Sequence, residues 1–276
     1  LELVLHRSAH IDMLASLPKS TSMRLWVKVN TGMNRLGFSL NDIESLYQRI
    51  AVLPCLQEPL HWMTHFAWAG NVASTETSKQ IHRFNDVLVG LPGERSLANS
   101  AGVLAWPKSH ADWVRPGGML YGTSPLDHRS AKECGLWPVM SLYSQVIAIL
   151  DVKKGQSLGY NHSWQCYRHS RIGIVSIGYG DGYPRHAMSG TPVWVNGKRS
   201  PLVGRVSMDL IHIDLTDNKS AKVGDTVLLW GDHLPVDEIA RSASTIAYEL
   251  ICHVNESIPR QVISTELEEV IYDAEG

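Results

Sequence analysis

Four short segments in the first half of the chain carry side chains that could bind an anion or move a proton. Each follows an apolar run, and they are Lys28–Gly37 with Arg35, His65–Ala67, Asn99–Gly102 and Trp113–Gly118 with Arg115. An arginine can bind a carboxylate through two parallel hydrogen bonds, and consecutive glycines let backbone N–H groups approach an anion closely. Singly, each segment is equally typical of a solvated loop or a structural histidine. Because the carboxyl ends of parallel barrel strands converge on one face, the four together indicate a common site.

Three turns in the second half carry further candidate residues. They are Gly159–Trp164 with Tyr160, Gly178–Pro184 with Tyr179, and Gly204–Asp209 with Arg205. Tyr160 on its own could equally be a surface aromatic residue. The glycines around Tyr179 do not form the dinucleotide-binding fingerprint, because their spacing differs and no helix is predicted to follow them.

The histidine pattern argues against a metal site, and the cysteine pattern argues against a disulfide framework. His61 and His65 lie four residues apart in a strand-like run, which would separate them by about 13 Å, too far to share one ion. The chain has four scattered cysteines with no C-x-x-C pair, at Cys55, Cys134, Cys166 and Cys252. In a chain of this length, that pattern is typical of the reduced thiols of a cytoplasmic protein.

The elements that must position these residues alternate between strand and helix in the first half. Ser8 is the expected N-cap of the first helix, Ser39 or Asn41 that of the second, and a third helix follows Thr75. Repeated β-α units predict parallel strands with right-handed crossovers. The expected strands are 2–6, 25–29, 60–66, 96–99 and 118–122. A complete (β/α)8 barrel takes about 250 residues, so five strands predict a partial TIM-type barrel.

After residue 137, strands follow strands, which predicts an antiparallel β domain. Asn196-Gly197 between two apolar runs is a strong signal for a type I′ hairpin. Two helices are expected, one after Pro235 and one around 245–254, and the acidic residues 265–276 are expected to fray. We therefore predict an α/β domain over 1–137 and a mainly β domain over 138–276.

The composition excludes several classes of function. The 276 residues include 25 Lys+Arg and 27 Asp+Glu, a near-neutral balance that does not suit a dedicated nucleic-acid binder. No apolar run is long enough to span a bilayer, and the first residues do not resemble a signal peptide. Because Leu1 already belongs to a strand-like run, we expect the protein to start upstream of it.

Taken in order, these segments and Tyr248-Glu249-Leu250 resemble alanine racemase over nearly the whole chain, to about Val262. The resemblance implies an isomerase that interconverts L- and D-alanine through pyridoxal 5′-phosphate (PLP) by a two-base mechanism. It also implies an N-terminal barrel, a C-terminal β domain and a head-to-tail homodimer whose active sites are shared between the subunits.

The resemblance further implies a role for each matching residue. Tyr160 matches the base for L-alanine, supplied to the other subunit's cofactor, and His65 matches the histidine that links this tyrosine to Arg115. Arg115 matches the arginine that faces the pyridine nitrogen, and Lys28 matches a lysine that members can carry as a carbamate to orient Arg35. The remaining matches are Arg35 and the Met208 backbone for the substrate carboxylate, Asn99, Ser100, Gly117 and Gly118 for the phosphate, and Tyr179, Arg205 and Asp209 for the entryway.

The sequence departs from the family pattern in four places. After Tyr160, where members often have two small residues and a threonine, it has Asn161-His162-Ser163. Asn30 stands where members usually have aspartate, and Glu256 where some members place a phosphate-binding tyrosine. None of the ten lysines lies in the family's Lys-Ala-Asn-Ala-Tyr-Gly-His-like motif, whose lysine anchors the cofactor and is the base for D-alanine. We therefore expect an alanine racemase by family whose chain as written is inactive alone. The alternatives are a truncated, non-catalytic remnant that still dimerises and a broad-specificity amino-acid racemase.

Overall fold

The computed structural model describes residues 2–18, 20–57 and 59–263. The described residues divide into two compact units, one formed by those of 2–143 with 228–241 and the other by 144–227 with 242–263. The domain boundary between residues 137 and 138 stays a prediction.

The first unit contains a sheet of five parallel strands in the order β1-β2-β3-β4-β5. This arrangement confirms the predicted partial barrel with five strands. The strands are β1 (Glu2–Leu5), β2 (Arg24–Lys28), β3 (His61–Met63), β4 (Arg95–Asn99) and β5 (Trp113–Arg115). The helices are α1 (Ser8–Ala15), α2 (Ile43–Ala51), α3 (Glu76–Val87) and α4 (Ser100–Ala105).

Apolar residues at helical spacing form the core of this unit. On α2 the buried residues are Ile43, Leu46 and Ile50, and on α3 they include Ile81 and Phe84. The three central residues of β2 and of β4 are all buried, as expected for parallel strands covered on both faces. Burial of each large apolar side chain contributes about 1.5–3 kcal/mol.

Residues 118–122 are not the fifth strand that the sequence predicts. Gly118–Tyr121 is a 3₁₀ turn, and the strand lies earlier, at β5, where Ser96 pairs with Trp113 and Asn99 with Arg115. The turn ends at Gly122 in a left-handed conformation, where a Cβ atom would lie 2.0 Å from the Trp137 carbonyl oxygen. The apolar residues at 119–121 suit a strand locally, but pairing with β4 and this close approach determine the structure.

Several boundaries also differ from the predicted ones. Asp42 is the N-cap of α2, whereas Ser39 caps the 3₁₀ turn Leu40–Asp42 just before it. Strand β3 ends at Met63, so His65 lies beyond the strand. Helix α1 begins at Ser8, and Arg7, in extended conformation, holds the N-cap position that the sequence assigns to Ser8.

The second half is antiparallel, as predicted. Its strands are β6 (Leu142–Val152), β7 (Ser157–Leu158), β8 (Trp164–Gln165), β9 (Ser170–Val175), β10 (Pro192–Val195), β11 (Lys198–Pro201), β12 (Ile211–Asp214) and β13 (Thr226–Trp230). Six of them form one sheet in the order β11-β10-β13-β6-β9-β12, and β7 pairs with β8. Helices α5 (Val236–Ser242) and α6 (Ala247–His253) lie close to where the sequence predicts them.

The predicted hairpin joins β10 to β11. Val195 pairs with Lys198, and the two residues between them, Asn196 and Gly197, have φ of +48° and +77°, which is the type I′ geometry. The predicted frayed residues 265–276 lie outside the described residues. Among the described residues, no helix combines the length and apolar character needed to cross a membrane.

Candidate active site

The polar segments of the first unit meet because the strand register aligns the strand ends. Lys28 pairs with Met63, Met63 with Ser96, and Asn99 with Arg115 across successive strands. Lys28, Asn99 and Arg115 are each the last residue of a strand. The convergence that the sequence predicts for these segments is therefore present in the structure.

Arg115 is held in place by neutral groups. Its Nη1 donates to Ser96 Oγ (2.5 Å), and its Nη2 donates to the Thr64 carbonyl (2.7 Å) and the Leu97 carbonyl (3.4 Å). Burial lowers the pKa of Arg115, but an arginine keeps its proton at any ordinary pH. The guanidinium therefore remains a charged donor, and no carboxylate of the described residues pairs with it.

Lys28, Arg35, His65 and Arg115 form what we call the basic cluster. Burial lowers the pKa of His65 to about 4, and the charges of Arg115, Arg35 and Lys28 act in the same direction. The pKa of Lys28 is also lowered, first by burial and then by Arg35 and Arg115. A neutral histidine and three cationic side chains give this region a positive potential, which favours an anion.

Arg35 lies on a loop that hydrogen bonds hold closed. Asn30 Oδ1 accepts from the backbone N–H groups of Gly32 (3.1 Å) and Asn34 (3.0 Å), and Asn30 Nδ2 donates to Asn34 Oδ1 (2.9 Å). Gly37 has φ of +122°, and a Cβ atom there would lie 2.9 Å from Asn30 N and from the Lys28 carbonyl oxygen. Asn30 thus shapes the loop with a neutral amide.

Two residues outside the predicted set support this face of the sheet. Gln80, buried on α3, donates to Thr31 Oγ1 (2.9 Å) and the His65 carbonyl (3.1 Å), and its Oε1 accepts from Ala67 N–H (2.9 Å). Ser96, buried on β4, accepts from Arg115 and donates to the Trp113 carbonyl (3.0 Å). The sequence signal for Gln80 is a polar residue at a helical position whose neighbours Thr77, Ile81 and Phe84 are buried.

The segments at Asn99 and Gly117 also come together. The Asn99 side chain caps α4 by accepting from Gly102 N–H (2.9 Å). Ser100 is buried, and its Oγ accepts from the backbone N–H groups of Gly117 (2.8 Å) and Met119 (3.5 Å). These bonds place the start of α4 beside the segment at Gly117 and Gly118, so that the hydroxyl of Ser100 and the backbone of both segments lie together. We call these residues the Ser100 cradle.

Tyr160 lies on an exposed turn of the second unit. It follows Gly159, whose φ is +65°, and precedes Asn161 and His162, which are left-handed with φ of +58° and +48°. Such conformations are uncommon outside glycine and often occur at functional turns. A Cβ atom at Gly159 would lie 3.8 Å from the His212 ring, and burial lowers the pKa of this histidine.

The other two predicted turns of the second unit contact each other. Tyr179 N–H donates to the Ser207 carbonyl (3.0 Å), and Gly180 N–H donates to the Met208 carbonyl (2.8 Å). A Cβ atom at Gly178 would lie 2.2 Å from the Met208 carbonyl oxygen, and one at Gly180 would lie 3.6 Å from Asp209 Oδ1. Tyr179, Met208 and Asp209 therefore form one surface, and Glu256 is exposed in the turn after α6.

The chain matches known families over most of its length. Residues 1–125 match the alanine racemase N-terminal domain, and residues 139–262 match the alanine racemase C-terminal domain. The alanine racemase of Shewanella baltica strain OS155 is 49% identical over 251 residues, which cover 91% of this chain and 70% of that protein. This chain belongs to the alanine racemase family.

Solved structures of alanine racemases share the fold. The biosynthetic alanine racemase of Pseudomonas aeruginosa superposes with a TM-score of 0.91 at 44% identity, covering 95% of this chain and 73% of that one. The alanine racemase of Bartonella henselae, described with covalently bound pyridoxal phosphate, has a TM-score of 0.80 at 29% identity over 92% of this chain and 70% of that one. The family consists of isomerases of alanine that depend on PLP, and the predicted family and cofactor are confirmed.

The residues of the first unit fit this cofactor. The Ser100 cradle brings the hydroxyl of Ser100 and the glycine segment at Gly117 together where a phosphate group would be held, and Arg115 offers a fixed cationic donor for a ring nitrogen. Arg115 Nε donates to no protein atom in the part of the chain that the structure describes. That nitrogen is thus available to a further acceptor.

Proposed function

We propose that the basic cluster binds the substrate carboxylate and the ring end of PLP, while Asn99, Ser100, Gly117 and Gly118 hold its phosphate. The observation that carries this proposal is the environment of Arg115. All three of its acceptors are neutral, so its full charge stays available on the face where the strands end. When bound, PLP supplies an electron-withdrawing ring that makes the α-proton of alanine acidic.

Arg115 would set the protonation of the pyridine nitrogen of bound PLP. Because the guanidinium does not give up its proton, it would donate a hydrogen bond to that nitrogen and leave it without a proton of its own. Such a bond would limit the spread of negative charge into the ring and so disfavour reactions other than racemisation. In the family, the lysine that anchors PLP is also the second base, the one that acts on D-alanine.

Tyr160 is proposed as the base that takes the α-proton from L-alanine. Its side chain is exposed on a turn, which supports its contribution to the active site of a partner subunit in a homodimer. His65 is neutral near pH 7, so one ring nitrogen can accept a hydrogen bond from Arg115 while the other donates toward the phenolic oxygen. In this arrangement His65 couples the arginine to the tyrosine.

Arg35 and the Met208 backbone N–H are proposed to bind the substrate carboxylate. An arginine suits this task because two of its N–H groups match the two carboxylate oxygens. Lys28 is proposed to carry a carbamate that orients Arg35. Its lowered pKa favours the neutral amine, which adds CO2 and releases one proton, and the resulting anion would offset the charge of the basic cluster.

Tyr179, Arg205 and Asp209 are proposed to line the entryway. The contacts between the turns at 178–183 and 207–209 support a single surface for this role. We also propose a cytoplasmic location. This is supported by the four cysteines, none of which forms a disulfide in the described part of the chain.

We further propose that a polypeptide of these 276 residues does not racemise alone, because none of its ten lysines lies in the family's anchor motif. Tests of activity therefore need a chimera in which the lysine-bearing segment of a relative is joined to this chain.

In such a chimera, Tyr160→Phe should slow proton removal from L-alanine by a factor of about 10² or more and affect D-alanine far less, because it removes one of two bases. Deuterium wash-in from solvent during a single turnover measures each direction separately. Tyr167→Phe, an exposed tyrosine of the same unit, is the matched control. Equal losses in the two directions would contradict the assignment of Tyr160.

A further inference from the structure

Thr64 joins the ends of neighbouring strands through its backbone and its hydroxyl group. It follows the last residue of β3, and its backbone N–H donates to the Ser96 carbonyl on β4 (3.1 Å). Its carbonyl accepts from Arg115 Nη2 at the end of β5 (2.7 Å), and its hydroxyl bonds to Val29 and Thr31, which follow β2. Every polar atom of Thr64 therefore has a partner, and the partners lie on both sides of β3.

The hydroxyl groups of Thr31 and Thr64 donate in one direction. A hydroxyl has a single proton to donate, and Thr64 Oγ1 donates its proton to the Val29 carbonyl (2.9 Å). The 2.8 Å contact between the two hydroxyl oxygens therefore requires Thr31 to donate to Thr64. Thr31 Oγ1 in turn accepts from Gln80 Nε2 (2.9 Å). A directed chain of hydrogen bonds thus runs from α3 through both threonines to the end of β2.

This chain of hydrogen bonds lies in the interior of the first unit. Thr31, Thr64 and Gln80 are 2%, 1% and 2% exposed. At this depth water does not replace a lost partner, so removal of one hydroxyl leaves its neighbour's donor without an acceptor. The Thr64 hydroxyl is therefore the link that ties Thr31, in the loop that carries Arg35, to the segment after β3.

We propose that Thr64 is a positioning residue of the active site, and that its hydroxyl fixes the loop that carries Arg35 relative to Arg115. One residue contacts both parts, because its hydroxyl holds Thr31 while its carbonyl holds the Arg115 guanidinium. Valine has the same shape as threonine and would fill the same space, so packing alone does not require the hydroxyl. This inference rests on the proposed function, since Arg35 and Arg115 are the cations assigned to the substrate carboxylate and the ring of PLP.

The pKa of His65 in the full chain, without PLP or substrate, reports whether the basic cluster keeps its geometry. His65 follows Thr64, and burial and then the charges of Arg115, Arg35 and Lys28 lower its pKa to about 4. Thr64→Val keeps the shape but removes the hydroxyl, so the loop should move and the pKa of His65 should rise toward the ordinary value of 6.5. NMR titration of the ring protons measures this pKa, and His65→Gln assigns the resonance.

Three further variants separate positioning from a general effect of altered packing. Thr64→Ser keeps the hydroxyl and should keep the pKa of His65 close to that of the parent chain. Thr31→Val removes the same bond from its other end, so it should match Thr64→Val, and the double variant should add little. Thr77→Val is the matched control, because the Thr77 hydroxyl is buried but has no hydrogen-bond partner among the described residues. An unchanged pKa in Thr64→Val, or an equal rise in Thr64→Ser or Thr77→Val, would overturn the proposal.

Kinetics of the chimera test the consequence for the reaction. Thr64→Val should raise the KM for alanine about tenfold with a smaller change in kcat, and Thr64→Ser should restore the KM. Urea unfolding confirms that each variant is folded. If Arg35→Gln raises the KM and Thr64→Val does not, the proposal is overturned. If Arg35→Gln also leaves the KM unchanged, the proposed role of Arg35 is contradicted, and the pKa of His65 in the full chain decides the role of Thr64.

Discussion

His65 illustrates how residue environment sets chemistry in this chain. Burial and three neighbouring cations combine to keep its ring neutral over the range where an ordinary histidine titrates. A neutral ring can accept one hydrogen bond and donate another, which a charged imidazolium cannot do. The basic cluster thus fixes the protonation of the residue proposed to couple Arg115 to Tyr160.

This environment predicts a pH dependence of stability. Folding lowers the pKa of His65 from 6.5 to about 4, so between these values the unfolded chain binds more protons than the folded chain. The free energy of unfolding therefore falls as the pH falls from about 6.5 to 4, and above 6.5 His65 contributes no slope. Urea unfolding without cofactor at pH 7 and pH 5 measures the loss.

His65→Gln should make that loss smaller, because the glutamine does not titrate. His82→Gln, at an exposed position on α3, is the control and should keep the dependence of the parent chain. An unchanged loss in His65→Gln would show that His65 is protonated in the folded state at pH 5.

At the scale of elements, α3 determines where two strand-end segments lie. Gln80 joins this helix to the loop after β2 through Thr31 and to the segment after β3 through His65 and Ala67. Arg83 on the same helix adds a bond from Nη1 to the Thr31 carbonyl (3.0 Å). The helix thereby fixes the positions of the Arg35 loop and His65 relative to each other.

Gln80→Met should destabilise the chain by about 2 kcal/mol or more, because it keeps the volume but leaves buried polar partners unsatisfied. In the chimera it should also raise the KM for alanine, since the Arg35 loop loses a support. Urea unfolding and steady-state kinetics measure the two effects. Gln48→Met on α2 removes only an exposed bond to Glu44 and should change neither by much. Equal effects of the two variants would argue against a positioning role for Gln80.

The contact between the turns at 178–183 and 207–209 depends on a glycine. Gly178 is in extended conformation, so alanine is allowed by its backbone, but a Cβ atom would lie 2.2 Å from the Met208 carbonyl oxygen and 2.4 Å from that of Ser207. Backbone atoms cannot move aside as a flexible side chain can. Gly178→Ala should therefore separate the turns at a cost of about 1–3 kcal/mol.

Gly155→Ala is the matched control, because nothing lies within 4 Å of a Cβ atom there and only its φ of +88° opposes the substitution. In thermal unfolding, Gly178→Ala should lower the midpoint more than Gly155→Ala does. In the chimera, only Gly178→Ala should alter substrate affinity. The opposite order of stability would mean that the turns separate at little cost.

At the scale of the whole molecule, the chain combines residues that fit PLP with the lack of a lysine in the family's anchor motif. In the described part of the chain, β1 and β5 lie at the two edges of the first sheet, each paired on one side only. The residues proposed to hold PLP lie at the ends of the strands of this sheet. Noncovalent binding of PLP is therefore compatible with the structure, whereas covalent anchoring needs a suitably placed lysine.

We predict that a polypeptide of these 276 residues forms no specific covalent bond with PLP and does not racemise alanine, even with excess cofactor. Borohydride reduction with PLP, followed by mass mapping of peptides, detects any labelled lysine. The alanine racemase of Shewanella baltica treated in the same way is the positive control. One stoichiometrically labelled lysine together with racemisation would contradict this prediction. The labelled residue would then be a substitute anchor among the ten lysines.

The sequence by itself determined the features that depend on neighbours along the chain. The alternation of strand-like and helical segments predicts the β-α order of the first half. Asn196-Gly197 predicts the hairpin, because a two-residue turn between twisted strands needs residues that adopt left-handed conformations. The order of the polar segments also carries the family resemblance. These signals need no knowledge of distant contacts.

Only the tertiary structure decided the features that depend on distant partners. The fifth strand is Trp113–Arg115 rather than 118–122 because pairing with β4 outweighs local strand preference. The hydrogen-bond partners of Gln80 and of Arg115 lie 13 to 51 positions away from them along the chain. Local propensity sets which elements form, but long-range packing decides which polar atoms meet.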